Sequence, residues 1–210
     1  MGPAQRVAAR TGVQHSQHFA RRRTARLHGS ARRDRRHRGP VIPPASVVEY
    51  DARWPIWFAE IRDGLSPYLE GIPHTIEHVG STAVPGLAAK PIIDVDVVVS
   101  RADLVPPAVA AMVAAGYQHE GDLGITGREA FTLPPGTAHY HHLYVVVEGN
   151  KPHQDHVLLR DRLRANAADR ERYAALKREL AHLLTTDRAA YVEAKAGLVE
   201  EILRRAAQSS

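Results

Sequence analysis

The chain has no cysteine in 210 residues. That absence excludes disulfides, thiolate zinc sites, iron–sulfur clusters and a cysteine nucleophile, and it fits an intracellular protein. No apolar run approaches the roughly 20 residues that cross a bilayer, so the sequence does not describe an integral membrane protein. An apolar stretch of signal-peptide length is also missing near Met1, and a cytoplasmic location is the expectation. Acid is scarce in one region only. Residues 1–45 hold 11 Arg and a single acid, Asp34, whereas residues 46–210 hold 17 basic and 22 acidic side chains. The formal net charge of +5 therefore combines a tail of net +10 with a body of net −5.

The tail has little to bury. Val13, Val41 and Ile42 stand alone among Arg21-Arg22-Arg23, Arg32-Arg33 and Arg35-Arg36. Such a segment cannot recover its ordering entropy by burial and is expected to be disordered. It reads as a solvated arm that neutralises nucleic-acid phosphates, as an organellar transit peptide, or as a segment without a role. Phe19 is its one aromatic residue, so it carries no stacking platform. Pro40, Pro43 and Pro44 mark the boundary, and residues 46–210 have the length of one domain.

Within the body, Val47–Tyr50 reads as an extended lead. Asp51 is placed to cap a helix with Pro55 in its first turn and an apolar face of Trp54, Trp57, Phe58, Ile61, Leu65, Tyr68 and Leu69. Strands are expected over Thr75–Val79 and Pro91–Val99, joined by a loop or short helix to Lys90. A helix over Leu104–Ala115 stops at Gly116. Extended segments follow at Tyr117–Glu120, Arg128–Leu133 and His139–Glu148. The remainder is helical, with Asn166 and Thr186 or Asp187 as caps. The order is that of an α+β fold with a helical C-terminal third.

The chemistry concentrates in Gly80-Ser81 and Asp94-Val95-Asp96. Both acids lie in the apolar run Ile92–Val99, and a strand repeats every two residues, so both carboxylates share one face. Two neighbouring anions on a buried strand repel each other and are costly to desolvate, and a divalent cation relieves both penalties. Mg2+ suits carboxylate and phosphate oxygens. The plain alternative is a pair that is solvated or matched with Arg or Lys. Gly80 permits close backbone approach, and Ser81 offers a hydroxyl and an N–H to an anion at a helix start. Strand, Gly-Ser, then Asp-x-Asp on the next strand places an anion cradle beside a metal site, as phosphoryl or nucleotidyl transfer requires.

Gly80-Ser81 with Asp94-x-Asp96 resembles the signature of the nucleotidyltransferase superfamily, and the body resembles its GrpB family more closely. The matching stretches include Tyr50-Asp51-x-x-Trp54-Pro55, Glu77 to Leu87, Lys90 to Asp94, Gly127-Arg128, His142-Leu143, Arg160-Asp161-x-Leu163-Arg164 and Tyr173-x-x-Leu176-Lys177. They run over about residues 47–205 and none of the tail. The resemblance implies a nucleotidyltransferase-like fold, a small mixed sheet packed with helices. It also implies nucleotide phosphates on Gly80 and Ser81, and Mg2+ on Asp94 and Asp96. A nucleoside monophosphate would then pass from a nucleoside triphosphate to an unnamed acceptor.

The superfamily pattern has a third carboxylate on a later strand. Here the strand His139–Glu148 carries His142 and Tyr144 at the inward positions, with Glu148 at its end. His142 is then the candidate base or ligand. A module that binds nucleotide without transferring it, or serves only as a scaffold, is the alternative. Lys90 and Arg128 are candidates for substrate phosphate, or for pairing with the Asp residues themselves. His139 and His141 share a face and suggest a metal site or a polar rim. His153 and His156 read as capping or exposed, His78 as structural or substrate-facing, and Arg160 and Arg164 as a solvated face or a cleft wall. Trp54, Trp57, Phe58 and Tyr173 read as core.

Overall fold

The computed structural model describes residues 46–208. The Arg-rich segment 1–45, with every expectation attached to it, lies outside the described residues. Strands β1 (His74–Val79), β2 (Ile93–Val99), β3 (Gln118–Gly121), β4 (Arg128–Thr132) and β5 (His141–Val147) form one sheet in the order β1-β2-β5-β4-β3. β2 and β5 run parallel at its centre, and the other three pairings are antiparallel. Helices α1 (Trp54–Leu65), α2 (Val105–Ala114), α3 (Lys151–Ala165), α4 (Ala167–Glu179), α5 (Leu183–Thr186) and α6 (Arg188–Ala207) complete the body. This is the expected α+β layout, a mixed sheet packed with helices and a helical C-terminal third.

The two faces of β2 are used differently. Ile93, Val95, Val97 and Val99 pack with Leu143 and Val145 of β5 against Trp54, Ile61 and Leu65 of α1 and Met112 of α2. Burial of so many branched side chains on one face fixes the register, because a slip of one residue would bring Asp94 and Asp96 into this core. The opposite face carries the acids. Helix α3 packs over it against β1 and β5, and a second apolar cluster joins Val84, Leu87 and Ala88 to Leu163, Tyr173 and Ile202 of the C-terminal helices.

The ends of the helices explain where they stop. Asn166 accepts from the Asp169 N–H at 2.8 Å and Asp187 from the Ala190 N–H at 3.0 Å, as their positions suggested. Asn150 caps α3 in the same way through the His153 N–H at 3.1 Å. Asp51 is not the cap expected of it. α1 starts at Trp54, and Asp51 instead accepts from Arg53, whose backbone N–H lies 2.8 Å away and whose guanidinium pairs with it. Asp169 is buried and binds Arg162 of α3 at 2.7 Å and Arg205 of α6, so one carboxylate ties three helices together.

Candidate active site

Asp94 and Asp96 occupy the same face of β2, as the two-residue repeat requires. Their partners across the parallel pairing are His142 and Tyr144 of β5, and across the antiparallel pairing Val79 and Glu77 of β1. His142 donates from Nδ1 to Asp94 Oδ1 at 2.8 Å. Burial raises the Asp94 carboxyl, but the hydrogen bond from His142, with the imidazole of His156 nearby, outweighs it, and the group ends below its ordinary value. Asp96 has a fully buried side chain, and its Oδ2 accepts from His156 Nδ1 of α3 at 2.8 Å. Its Oδ1 is buried and has no hydrogen-bond partner among the described residues. The His156 imidazole is lowered by burial, yet its hydrogen bond to Asp96 and the nearby carboxylates leave it raised.

The donor set fits a divalent cation. A buried carboxylate oxygen left unbonded is costly unless a cation or polar group meets it. Asp94 uses Oδ1 for His142, which leaves its Oδ2 beside Gly80. Among the described residues no three Asp, Glu or His side chains already converge as a metal-ligand cluster.

The turn after β1 brings the backbone onto this pair. Gly80 has φ +68°, a left-handed conformation that suits glycine. Of the loop or short helix expected here, Ser81–Ala83 makes only a single 3-10 turn, so little helix dipole is available to an anion. His78 supports the turn from below. Its Nε2 meets Thr82 Oγ1 at 3.0 Å, Thr82 donates onward to Ile92 O at 3.1 Å, and its ring stacks on Phe58. Burial pushes this imidazole down to about 4, which marks it as a neutral structural residue.

Positive charge reaches the turn from the C-terminal helices instead. A cavity of about 250 Å³ is lined by Gly80, Ser81 and Asp94 together with Lys90, Arg160, Lys177, Arg188 and Lys195. Lys177 is buried, 2% exposed, and its ammonium donates to Ser81 Oγ at 3.2 Å. Burial, aided by Lys195 and Arg178, pushes it down to about 7. Lys195 falls to about 8 through burial and the charge of Lys90, and Lys90 itself is lowered by burial. Each deep lysine lies over a tyrosine ring, Lys177 over Tyr173 and Lys195 over Tyr191, both at 4.5 Å. The lining thus carries Lys90, Arg160, Lys177, Arg188 and Lys195 against one acid, Asp94, and its field is positive.

Gly80, Ser81, Lys90, Asp94 and His142 thus meet at one cavity. Arg128 does not join them. It lies on β4 with its guanidinium 4.5 Å over the Tyr144 ring. Glu148 hydrogen-bonds Val99 beyond the far end of β2, too distant in register to complete a site at Asp94. His139 precedes β5, stacking on Trp57 and pairing with Glu60 at 2.5 Å, while His141 is buried on Tyr117 at 2.8 Å. Both serve packing on the sheet's other face. His156, expected to cap or be exposed, instead faces Asp96, because α3 crosses the site. Arg160 binds Glu77 at 2.9 Å and walls the cavity. Lys177, Lys195 and Arg188 were missed as site residues. The repeated spacing Tyr173-x-x-x-Lys177 and Tyr191-x-x-x-Lys195 is the signal that marks two of them, one helical turn per pair.

The class so defined is an α+β protein whose central parallel strand presents one acid, Asp94, to a cation-lined cavity and buries a second, Asp96, on the same face. The chain belongs to the GrpB family, whose model, GrpB protein, matches residues 44–205. The crystal structure of conserved protein GrpB from Enterococcus faecalis superposes with a TM-score of 0.68 at 31% identity, covering 78% of this chain and 98% of that one. UPF0157 protein SCO7215 of Streptomyces coelicolor is 34% identical over 168 residues, which is 80% of this chain and 87% of that protein. The chain spans only 39% of UPF0157 protein YqkA of Bacillus subtilis, with 36% identity over 135 residues. A fainter likeness in fold, TM-score 0.46 at 13% identity over 62% of this chain and 43% of the other, is to the Cid1 poly(U) polymerase with MgGTP bound.

Proposed function

We propose that the protein is a Mg2+-dependent nucleotidyltransferase that moves a nucleoside monophosphate from a nucleoside triphosphate to an acceptor. The observation that carries this reading is the cavity whose lining Ser81, Lys177, Lys195 and Lys90 share with Asp94. Asp94 and Asp96 would hold the cation. When bound, Mg2+ supplies charge neutralisation across the phosphate oxygens. The lysines and Arg160 bind the β- and γ-phosphates and accept the negative charge that grows on departing pyrophosphate. An acceptor hydroxyl oxygen bonds to the α-phosphorus, and the bond from that phosphorus to the α,β-bridging oxygen breaks. His142, donating from Nδ1 to Asp94, keeps the Nε2 lone pair to take the hydroxyl proton.

A second reading is favoured by Tyr144, which faces Asp96 where a third acid would serve. The module then binds nucleoside triphosphate without transferring it. The experiment is a thermal shift on the full chain with the α,β-methylene analogues of ATP, GTP, CTP and UTP, with and without Mg2+. The first reading expects a Mg2+-dependent rise in melting temperature that Asp94→Asn and Asp96→Asn abolish, and pyrophosphate release from the hydrolysable nucleotide. A rise without pyrophosphate supports the second, and no rise with any analogue removes both.

A further inference from the structure

A second cavity, about 520 Å³, adjoins the first and shares His142 and Arg188 with it. Its character differs. Tyr140, Tyr144, Leu133 and Leu123 line it, no lysine does, and Glu120 is its one acid. Leu123 is 60% exposed and holds φ +47°, in the β3–β4 loop, where Gly124 and Gly127 are also left-handed. An exposed leucine in a conformation that leucine avoids is a feature with a cost, and it stands at the mouth of this cavity.

In-line displacement orders the two cavities. Attacking and leaving oxygens lie on opposite sides of the phosphorus. If pyrophosphate departs toward Ser81 and Lys177, the attacking oxygen arrives from the other side of Asp94 and His142, across β5 toward β4. That is where the aromatic cavity lies. Its lining also selects. A polynucleotide acceptor needs a row of cations for its phosphates, and this wall offers Arg188 at the junction and a carboxylate at the rim.

We infer that the aromatic cavity between His142 and the β3–β4 loop is the acceptor site, and that the acceptor is a small hydroxyl-bearing molecule with an aromatic or apolar body and a cationic group facing Glu120. This rests on the nucleotidyl-transfer reading for the first cavity. The acceptor hydroxyl gives its proton to His142, its oxygen bonds to the α-phosphorus, and pyrophosphate leaves with the electron pair of the broken bond.

The test uses tyramine, a phenol with an ammonium group, and 4-hydroxyphenylacetate, which carries a carboxylate instead. Saturation-transfer NMR on the full chain is expected to show tyramine bound in preference to the acid. Tyr140→Ala and the surface change Glu120→Lys should each weaken tyramine about three- to tenfold, as loss of one aromatic or charged contact does. The nucleotide-analogue shift, measured on the same samples, reports folding and the first cavity. A normal nucleotide shift with no tyramine signal, with tyramine bound equally by both variants, or with a 20-nucleotide oligo(rA) displacing tyramine overturns the inference. An absent nucleotide shift with tyramine bound as described sinks the transfer reading, and with it the acceptor role.

Discussion

A Cβ on Gly80 would lie 2.1 Å from Oδ2 of Asp94 and 2.7 Å from its Cγ. The strand-to-turn junction therefore approaches the acid as closely as a backbone can, and only because residue 80 has no side chain. The left-handed φ of +68° is a second reason for glycine at the same place.

Gly80→Ala is best set beside Gly86→Ala. Gly86 has φ +78° but no heavy atom within 4 Å of its would-be Cβ. Gly86→Ala should lose about 1–2 kcal/mol, the left-handed penalty alone. Gly80→Ala pays a steeper backbone penalty, since φ +68° with ψ −167° is open essentially to glycine alone, and must also push Asp94 aside, so it should lose clearly more. Denaturant melts measure both. The nucleotide-dependent thermal shift should vanish in Gly80→Ala and survive in Gly86→Ala.

The pattern of β2 was legible because its two faces have opposite chemistry, Val and Ile on one and Asp on the other. The turn at Gly80 was legible because a glycine at a strand end marks a change of chain direction, and its φ is +68°. The cations were not, since their approach depends on how α4 and α6 pack, and Lys177 lies 96 positions beyond Ser81. The Tyr-x-x-x-Lys spacing marks Lys177 and Lys195 as a pattern, but the contact with Ser81 is created by tertiary packing. Asn150 was missed for another reason. Its cap sits ahead of Lys151-Pro152-His153, a run with no apolar periodicity to announce a helix. Between the loop and the short helix that the sequence allowed after Ser81, Pro85 and Gly86 decide for the loop, halting the helix after one 3-10 turn.

Asp169 should be a strong point of stability. Its buried carboxylate receives Arg162 and Arg205, with Arg172 at 3.8 Å. Asp169→Ala takes the carboxylate from Arg162, whereas Arg172 and Arg205 keep Glu201, and with all three guanidinium groups partly exposed the loss should be about 1–3 kcal/mol. A fall in melting temperature of several degrees is expected. Loss below about 1 kcal/mol in a denaturant melt would show the network to be solvated.

Lys177 sets a pH dependence with a definite sign. Its ammonium falls to about 7 in the fold from an ordinary value of 10.5. Between those values the unfolded chain binds the extra proton, so stability attributable to this group rises with pH across that window. Lys177→Met removes the titrating group and should flatten that part of the profile. Nucleotide binding runs the other way. A triphosphate prefers the protonated lysine, so affinity should fall as pH climbs through about 7, and through about 8 where Lys195 follows. Titration calorimetry in buffers of different ionisation enthalpy should register proton uptake on binding, and Lys177→Met should reduce it.

Tyr144→Glu tests what the site does with a third acid. Tyr144 faces Asp96 across the parallel pairing, and the Arg128 guanidinium lies 4.5 Å over its ring. A glutamate there gains Arg128 as a partner, which favours its ionised form. It also adds a third negative charge near Asp94 and Asp96 and removes a large side chain, at a cost of about 2–4 kcal/mol. Without divalent cations the variant should melt below the parent. Mg2+ or Mn2+ should then raise its melting temperature more than the parent's, because a ligand stabilises the fold in proportion to the logarithm of its occupancy ratio. Equal responses of variant and parent to either ion would mean that the acids of β2 do not share a cation with position 144.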